Sequence, residues 1–282
     1  MIERVHDGVH YLTFESFDGV DGVSAVVTTR RGGASTGPYA TMNLGRRTAD
    51  AAEAVALNRA RAAALVNAPV RHLTFGKQVH RANVAVVTAV DAGIAFDDTD
   101  ALVTRVTDTP LVILTADCAA VLLVDPKQRA VGIAHAGWRG TVARIGAATV
   151  TAMRDAFGSL PTDLLAAVGP SIGPCCYEVG GEVIDAVGAA FPDHAEELLI
   201  EPDMASAGSF RAAVNEDRKH FDLWRANERV LLDAGVAENH IEIGGMCTAC
   251  RTDLFYSHRA EQGLTGRFGA LVMLHGSTSR IY

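Results

Sequence analysis

Short runs rich in Val, Ile, Leu or Thr recur from one end of the chain to the other, and several are continuously apolar rather than alternating. A strand buried on one face alternates apolar with polar residues, whereas a continuous run needs cover on both faces. The runs expected as strands are Tyr11–Phe17, Ser24–Arg30, His72–Phe75, Asn83–Thr88, Ala101–Thr104, Leu111–Thr115, Ala120–Val124, Ala130–Ala134, Leu164–Val168, Ile241–Ile243 and Ala270–Leu274. Helical periodicity covers Asp50–Asn67, with Asp50 placed to cap it, and returns at Thr141–Phe157, Gly181–Phe191 and Asp217–Ala234. The order is neither a strict strand–helix alternation nor strands followed by helices. It predicts a mixed α+β fold with helices outside the sheets. The polar Glu201–Gly208 segment is the best candidate boundary, but composition does not shift across it, so residues 1–282 are expected to form a single domain.

Composition closes off several classes. With 49% hydrophobic and 21% charged residues, a chain of 282 is not intrinsically disordered. It carries 25 Lys and Arg against 33 Asp and Glu, a formal net charge of −8. A nucleic-acid binder normally shows the reverse balance, with the basic residues clustered. The most apolar stretch, Leu111 to Val124, is interrupted by Thr115 and Asp117 and is too short to cross a bilayer. Met1 to Asp7 lacks a basic segment followed by an apolar one, so a soluble, cytoplasmic protein is expected. Five cysteines are an odd, low number that does not suggest a disulfide-stapled fold; they are expected to be reduced thiols.

The informative segments are strands that run directly into reactive side chains. They are Phe75 to His80, Leu111 to Cys118, and Val131 to Gly140 leading into a helix. Ends of neighbouring strands can converge on one cleft. Should His80, Cys118 and His135 meet, two imidazoles and a thiolate would supply three ligands for zinc and leave a fourth position open, the pattern of a catalytic site. Such a site lowers the pKa of a zinc-bound water to ~7. Asp117 is placed to orient a ligand or to act as a base. Two other readings stay open: Cys118 as an ordinary core cysteine, and Cys118 with His135 as a nucleophile–base pair.

The turn Gly137 to Thr141 has the form of a helix N-terminus, where Arg139 would strengthen an anion site. The alternative is a tight turn beside a solvated arginine. The Gly- and Pro-rich stretch Gly169 to Gly180 reads as a rigid loop, with Cys175 and Cys176 shaping a pocket wall. Cys247-Thr248-Ala249-Cys250 has the spacing of half a structural zinc site, but no second Cys-x-x-Cys exists, so a loop lining the same cleft is expected.

Taken together, Lys77-Gln78-Val79-His80, Ala116-Asp117-Cys118, His135 to Gly140 and Gly169 to Val179 occur in this order, with Arg31-Gly32-Gly33, Asn43-Leu44-Gly45, Cys247-Thr248, Cys250, Phe255, Ser257, Arg259 and Thr265-Gly266-Arg267. This set resembles the YfiH-like family, also called the polyphenol oxidoreductase or laccase-domain family. The resemblance spans about Ser24 to Leu274. It implies an α+β domain with zinc held by His80, Cys118 and His135. It also implies phosphorolysis of adenosine, inosine, guanosine and methylthioadenosine, and deamination of adenosine. The partners would then be purine nucleosides and phosphate, with neither nucleic acid nor a membrane involved. Phosphorolysis needs cations around the attacking phosphate; Lys77, Arg139 and Arg31 are the candidates, and the motif match adds Asn43 to the substrate set. Copper is the alternative metal, with phenol oxidation as the corresponding activity. Several coppers need many imidazoles, however, and only two of the ten histidines fall in the motifs. A cysteine hydrolase acting on a cell-wall precursor (peptidoglycan editing) and a non-enzymatic metabolite-binding module are the remaining rivals.

Overall fold

The computed structural model describes residues 1–201 and 218–276. Its strands are β1 (Ile2–His6), β2 (Val9–Thr13), β3 (Val23–Thr28), β4 (Thr74–Gly76), β5 (Val84–Val86), β6 (Ala95–Phe96), β7 (Ala101–Thr104), β8 (Leu111–Thr115), β9 (Ala119–Asp125), β10 (Ala130–Ala136), β11 (Leu165–Val168), β12 (Glu178–Val179), β13 (Leu199–Ile200), β14 (Lys219–Phe221), β15 (Ile241–Ile243) and β16 (Phe268–Leu274). The helices are α1 (Ala52–Ala64), α2 (Trp138–Val142), α3 (Ile145–Phe157), α4 (Gly181–Ala190), α5 (Ala195–Leu198) and α6 (Leu223–Asp233). One sheet runs β1-β2-β3-β16-β8-β4-β6, a second β15-β11-β9-β10-β7-β5, and a small third β12-β14-β13. Antiparallel and parallel pairs mix in both large sheets, as an α+β fold allows.

The continuously apolar strands are explained by the layering. Along β9, Ala119, Val121 and Leu123 face a core shared with Ile145 and Met153 of α3 and Val230 of α6. The alternate residues Ala120, Leu122 and Val124 face a second core, shared with Ile113 of β8 and Val272 of β16 in the other sheet. On β16 the remaining parity, Leu271 and Met273, packs with Ala62 and Ala63 of α1. The order is therefore helix, sheet, sheet, helix, and the central strands have no solvent face. Each buried Val, Leu or Ile side chain contributes roughly 1.5–3 kcal/mol relative to exposure.

Three helix expectations shift. The helix expected over Thr141–Phe157 is two, because Arg144 takes a left-handed conformation (φ 62°) and ends α2 before α3 begins. Asp50 does not cap α1; its carboxylate accepts from its neighbour's amide and from Asn43 Nδ2, and α1 starts at Ala52. The helix expected from Asp217 starts at Leu223, capped by Asp222, whose side chain accepts from Arg225 N; Lys219–Phe221 form β14 instead. Asp217 and residues 202–208 of the expected boundary lie outside the described residues. The strand β1, which reads as polar, pairs antiparallel with β2 at the sheet edge, where four of its five residues are exposed and neither face is buried. Among the described residues, no helix is long and apolar enough to cross a membrane.

The passage between the two large sheets is short. The chain leaves β8 in one sheet and enters β9 in the other through only Ala116, Asp117 and Cys118, with Asp117 at φ 87°. Cys118 thus lies at the seam between the sheets.

Candidate active site

His135 lies near the end of β10, with the parity of Val131 and Ile133, and is paired opposite Ala120 of β9. Successive strand residues alternate faces, so His135 faces the seam where Cys118 sits. The loop carrying His80 follows β4 and is clamped to β8: Gln78 Nε2 donates to Leu114 O at 2.8 Å and Gln78 Oε1 accepts from Leu114 N at 3.0 Å. One ligand atom from each of His80, Cys118 and His135 lies within 4.8 Å of the others, and the two imidazole rings meet edge to face at 4.7 Å. His80 is exposed and His135 buried, so the trio has a solvent side and a protein side.

A buried carboxylate that sequence reasoning missed organises this trio. Asp100, fully buried just before β7, meets His135 Nδ1 at 2.9 Å. Its two oxygens also accept the backbone N–H groups of Val79, His80 and Arg81. One carboxylate therefore sets the His135 ring and the loop that carries His80, leaving His135 Nε2 for the seam. Burial disfavours the charged form of Asp100, but these bonds outweigh it and hold its pKa below the usual value. Asp117, the neighbour of Cys118, is engaged elsewhere: it accepts from Thr248 Oγ1 at 2.6 Å and from Arg259 N at 2.7 Å. It anchors a loop, and Asp100 is the orienter.

Electrostatics prepare the thiol. Burial pushes the Cys118 thiol up, but the neighbouring His135 charge and hydrogen bonds with both imidazoles outweigh it and bring its pKa down to about 6. Burial likewise disfavours charged His135, yet Cys118 and Asp100 raise its pKa to about 9. A thiolate between imidazoles is a good soft ligand and also a nucleophile.

Gly137 is required by space rather than by backbone conformation. At φ −70° any residue would fit, but a Cβ there would lie 2.6 Å from Cys118 Sγ and 3.5 Å from His80 Cδ2. The cradle a Cβ would fill, and two nitrogens and one sulfur at this spacing, fit a metal such as zinc. Gly137→Ala is expected to push Cys118 aside and weaken metal binding by about 10–100-fold, the cost of misplacing a ligand's support. Metal titration of the purified variant checks this; wild-type affinity would show that the cradle is not needed.

The trio opens onto a cleft of about 1070 Å³. Arg46, Arg47, Arg59, Arg71, Lys77, Arg259 and Arg267 line it, against the single carboxylate of Asp117. Of the residues expected to bind phosphate, only Lys77 is in this lining, and it is paired with Asp97 at 2.6 Å. Arg139 lies outside: its guanidinium stacks over Trp138 and pairs with Glu182 at 2.8 Å, and α2 is a single short turn of helix. Arg31 also lies outside, bound to Asp253 at 2.9 Å. Asn43 is fully buried, its oxygen accepting from Gly45 N and Arg267 N. Asn43 therefore shapes the backbone that presents Arg46 and Arg267. Arg46 and Arg47 directly follow the Asn43-Leu44-Gly45 motif, and that adjacency was the signal available in the sequence.

The remaining cysteines do not line this cleft. The sulfurs of Cys175, Cys176, Cys247 and Cys250 instead gather within 4.8 Å of one another. Among the described residues this group and the His80 trio are the two clusters of three or more side chains able to hold a metal. Neither gathers the imidazoles that several coppers require.

Residues 24–275 match the family described as multi-copper polyphenol oxidoreductase laccase. The chain belongs to this family. A relative named purine nucleoside phosphorylase YlmD, from Bacillus subtilis (strain 168), is 35% identical over 257 residues, 89% of this chain and 88% of the relative. Another, named adenosine deaminase RL5, from an unknown prokaryotic organism, is 34% identical over 247 residues, covering 85% and 89%. The crystal structure of Bacillus licheniformis hypothetical protein YfiH superposes with a TM-score of 0.85 at 30% identity, covering 96% and 98%. The laccase-domain family's α+β fold is thus this chain's fold, and the chain is an enzyme. The multi-copper wording of the family description contrasts with the two donor clusters found here.

Proposed function

We propose that this enzyme is a zinc-dependent purine nucleoside phosphorylase that also deaminates adenosine, with adenosine, inosine, guanosine and methylthioadenosine as its nucleosides, and that residues 1–282 form one domain. The observation that carries the reading is a His–Cys–His trio opening onto a cation-lined cleft. The names of the relatives point the same way. His80, Cys118 and His135 would hold the zinc, which supplies Lewis acidity at neutral pH. The protein's own part is to bind and orient. Burial, then the nearby Arg46, lowers the pKa of Arg59 to about 10, so two guanidiniums face the cleft without mutual relief. Among the described residues Arg46 has no carboxylate partner, and an entering phosphate would supply the missing charge. Tyr177, on the cleft wall, offers an aromatic surface to a purine.

Incubating the purified enzyme with adenosine, with and without phosphate, tests this. Adenine and ribose 1-phosphate should form only with phosphate, and inosine in either case; phosphate-independent release of adenine would refute phosphorolysis. Arg46→Ala should raise the KM for phosphate by about 10- to 100-fold, since a charge-assisted hydrogen bond contributes ~1.5–3 kcal/mol. Deamination, which uses no phosphate, is the internal control; an unchanged phosphate KM would remove Arg46 from the site.

One observation favours a second reading. Asp100, His135 and Cys118 form an aligned carboxylate–imidazole–thiol series, the arrangement of a thiol hydrolase acting on a cell-wall precursor. The third donor, His80, has no role there. Alkylation of Cys118 in metal-loaded protein would support the hydrolase, because a thiolate committed to metal is a poor free nucleophile.

A further inference from the structure

The second sulfur cluster belongs to two loops brought together by the fold. The loop after β11 carries Cys175 and Cys176, and the loop after β15 carries Cys247 and Cys250. The strands preceding them, β11 and β15, are parallel neighbours, so both loops leave the sheet on the same side. They are then zipped together: Ser171 N donates to Met246 O, Thr248 N donates to Ser171 O, and Ile172 N ties the first loop to Asp117 O. Gly173 permits the closest approach, since a Cβ there would lie 2.6 Å from the Trp224 ring and 3.2 Å from Cys247 Cβ.

Adjacent cysteines seldom aim both sulfurs at one point, yet here a turn does so. Cys176 N and Tyr177 N both donate to Gly173 O, curling the chain so that Cys175 Sγ lies 3.5 Å and Cys176 Sγ 3.4 Å from Cys250 Sγ. A tetrahedral ion with metal–sulfur bonds of ~2.3 Å sets its sulfurs about 3.8 Å apart. The observed separations are therefore those of a tetrahedral cage rather than of one bonded pair. Cys247 Sγ also accepts the Gly173 N–H at 3.3 Å, a bond that suits a metal-bound thiolate. Cys247 is buried while Cys175 and Cys250 are exposed, which gives an ion a path of entry.

We propose that Cys175, Cys176, Cys247 and Cys250 form a structural tetrathiolate site for zinc, separate from the His80–Cys118–His135 trio. Four protein sulfurs fill a tetrahedron and leave no position for substrate, so its work is mechanical. The clip joins the two loops whose neighbours build the cleft wall. Arg259 donates to Cys176 O and Glu178 O, and Arg259 N and Thr248 Oγ1 hold Asp117 at the sheet-to-sheet crossing next to Cys118. The ion would fix Tyr177 and Arg259 relative to the trio. Disulfides are the rival: one would leave two sulfurs unpaired, and two would leave no thiolate for an ion.

The test uses the full-length Cys118→Ser variant, which disables the trio, prepared without oxidants and loaded with zinc. Elemental analysis should find one tightly held zinc per chain. Thiol titration in denaturant with chelator should find all four remaining cysteines reduced. Adding Cys250→Ser should abolish that zinc. No tightly held metal in the Cys118→Ser protein, or two or four of its four cysteines oxidised, overturns the site. Should the variants fail to fold, the wild-type enzyme loaded with cobalt decides: sulfur-to-cobalt charge transfer of the intensity expected for five thiolates, four here and Cys118 in the trio, supports the site, and the intensity of Cys118 alone overturns it. Because the Cys118→Ser protein reports on this cluster alone, its result does not depend on the nucleoside reading of the cleft.

Discussion

Cys118→Ser is expected to lower kcat/KM for both phosphorolysis and deamination by more than about 100-fold. Loss of a group that merely supports a metal ligand typically costs 10–100-fold, and Cys118 is proposed to be a ligand itself. A serine hydroxyl in its place is neither charged nor soft at neutral pH, while the thiol's pKa of about 6 keeps the cysteine anionic there. The single sulfur hydrogen-bonds both imidazoles, so its loss removes the one soft donor and leaves two imidazoles, held by Asp100 with ring centroids 4.7 Å apart, to bind a metal alone. Steady-state kinetics on both reactions, with elemental analysis of the same preparations, checks the prediction. Wild-type turnover in a Cys118→Ser protein would detach the chemistry from the trio.

Asp100→Ala is expected to damage folding and metal binding together. Asp100 is fully buried and satisfies His135 Nδ1 and three consecutive backbone N–H groups. Removing one partner of a buried charged pair costs about 3–5 kcal/mol, because the donors left behind cannot reach water. With His135 free to rotate, metal affinity should also fall, by about 10–100-fold. Denaturant unfolding of the metal-free protein isolates the first effect and metal titration the second. Asp100→Asn keeps the volume and should recover part of the stability but little of the affinity, since an amide cannot accept from all four donors. Metal-free Asp100→Ala protein as stable as wild type would show that the three amides find other partners.

The strands were legible because their signal is local. Ala120–Val124 and Ala130–Ala134 carry apolar residues at both parities, and only a layer with cover on both faces accommodates that. Boundaries were less legible where one side chain decides them. Arg144 interrupts a good helical pattern by its left-handed backbone, and Asp222 starts α6 several residues after the periodicity begins. The N-terminal strand β1 was invisible because an edge strand with neither face buried needs no apolar residues and so carries no apolar pattern.

At the site, the motifs named His80, Cys118 and His135, and the fold gathers them at one seam. The sequence alone also determined that the chain must bury its central strands on both faces. Tertiary structure alone decided which carboxylate serves the trio: Asp117 is next to Cys118 in the chain but faces Thr248, while Asp100 arrives from the start of β7. It decided which arginines reach the cleft, sending Arg139 to Glu182 and Arg31 to Asp253 while bringing Arg46, Arg59 and Arg267 to the wall. It also paired Cys175 and Cys176 with a Cys-x-x-Cys more than seventy residues later. The physical reason is the same in each case. Hydrophobic periodicity reports how one segment is covered, whereas side chains from different segments meet according to strand register and loop closure, which leave no spacing in the sequence.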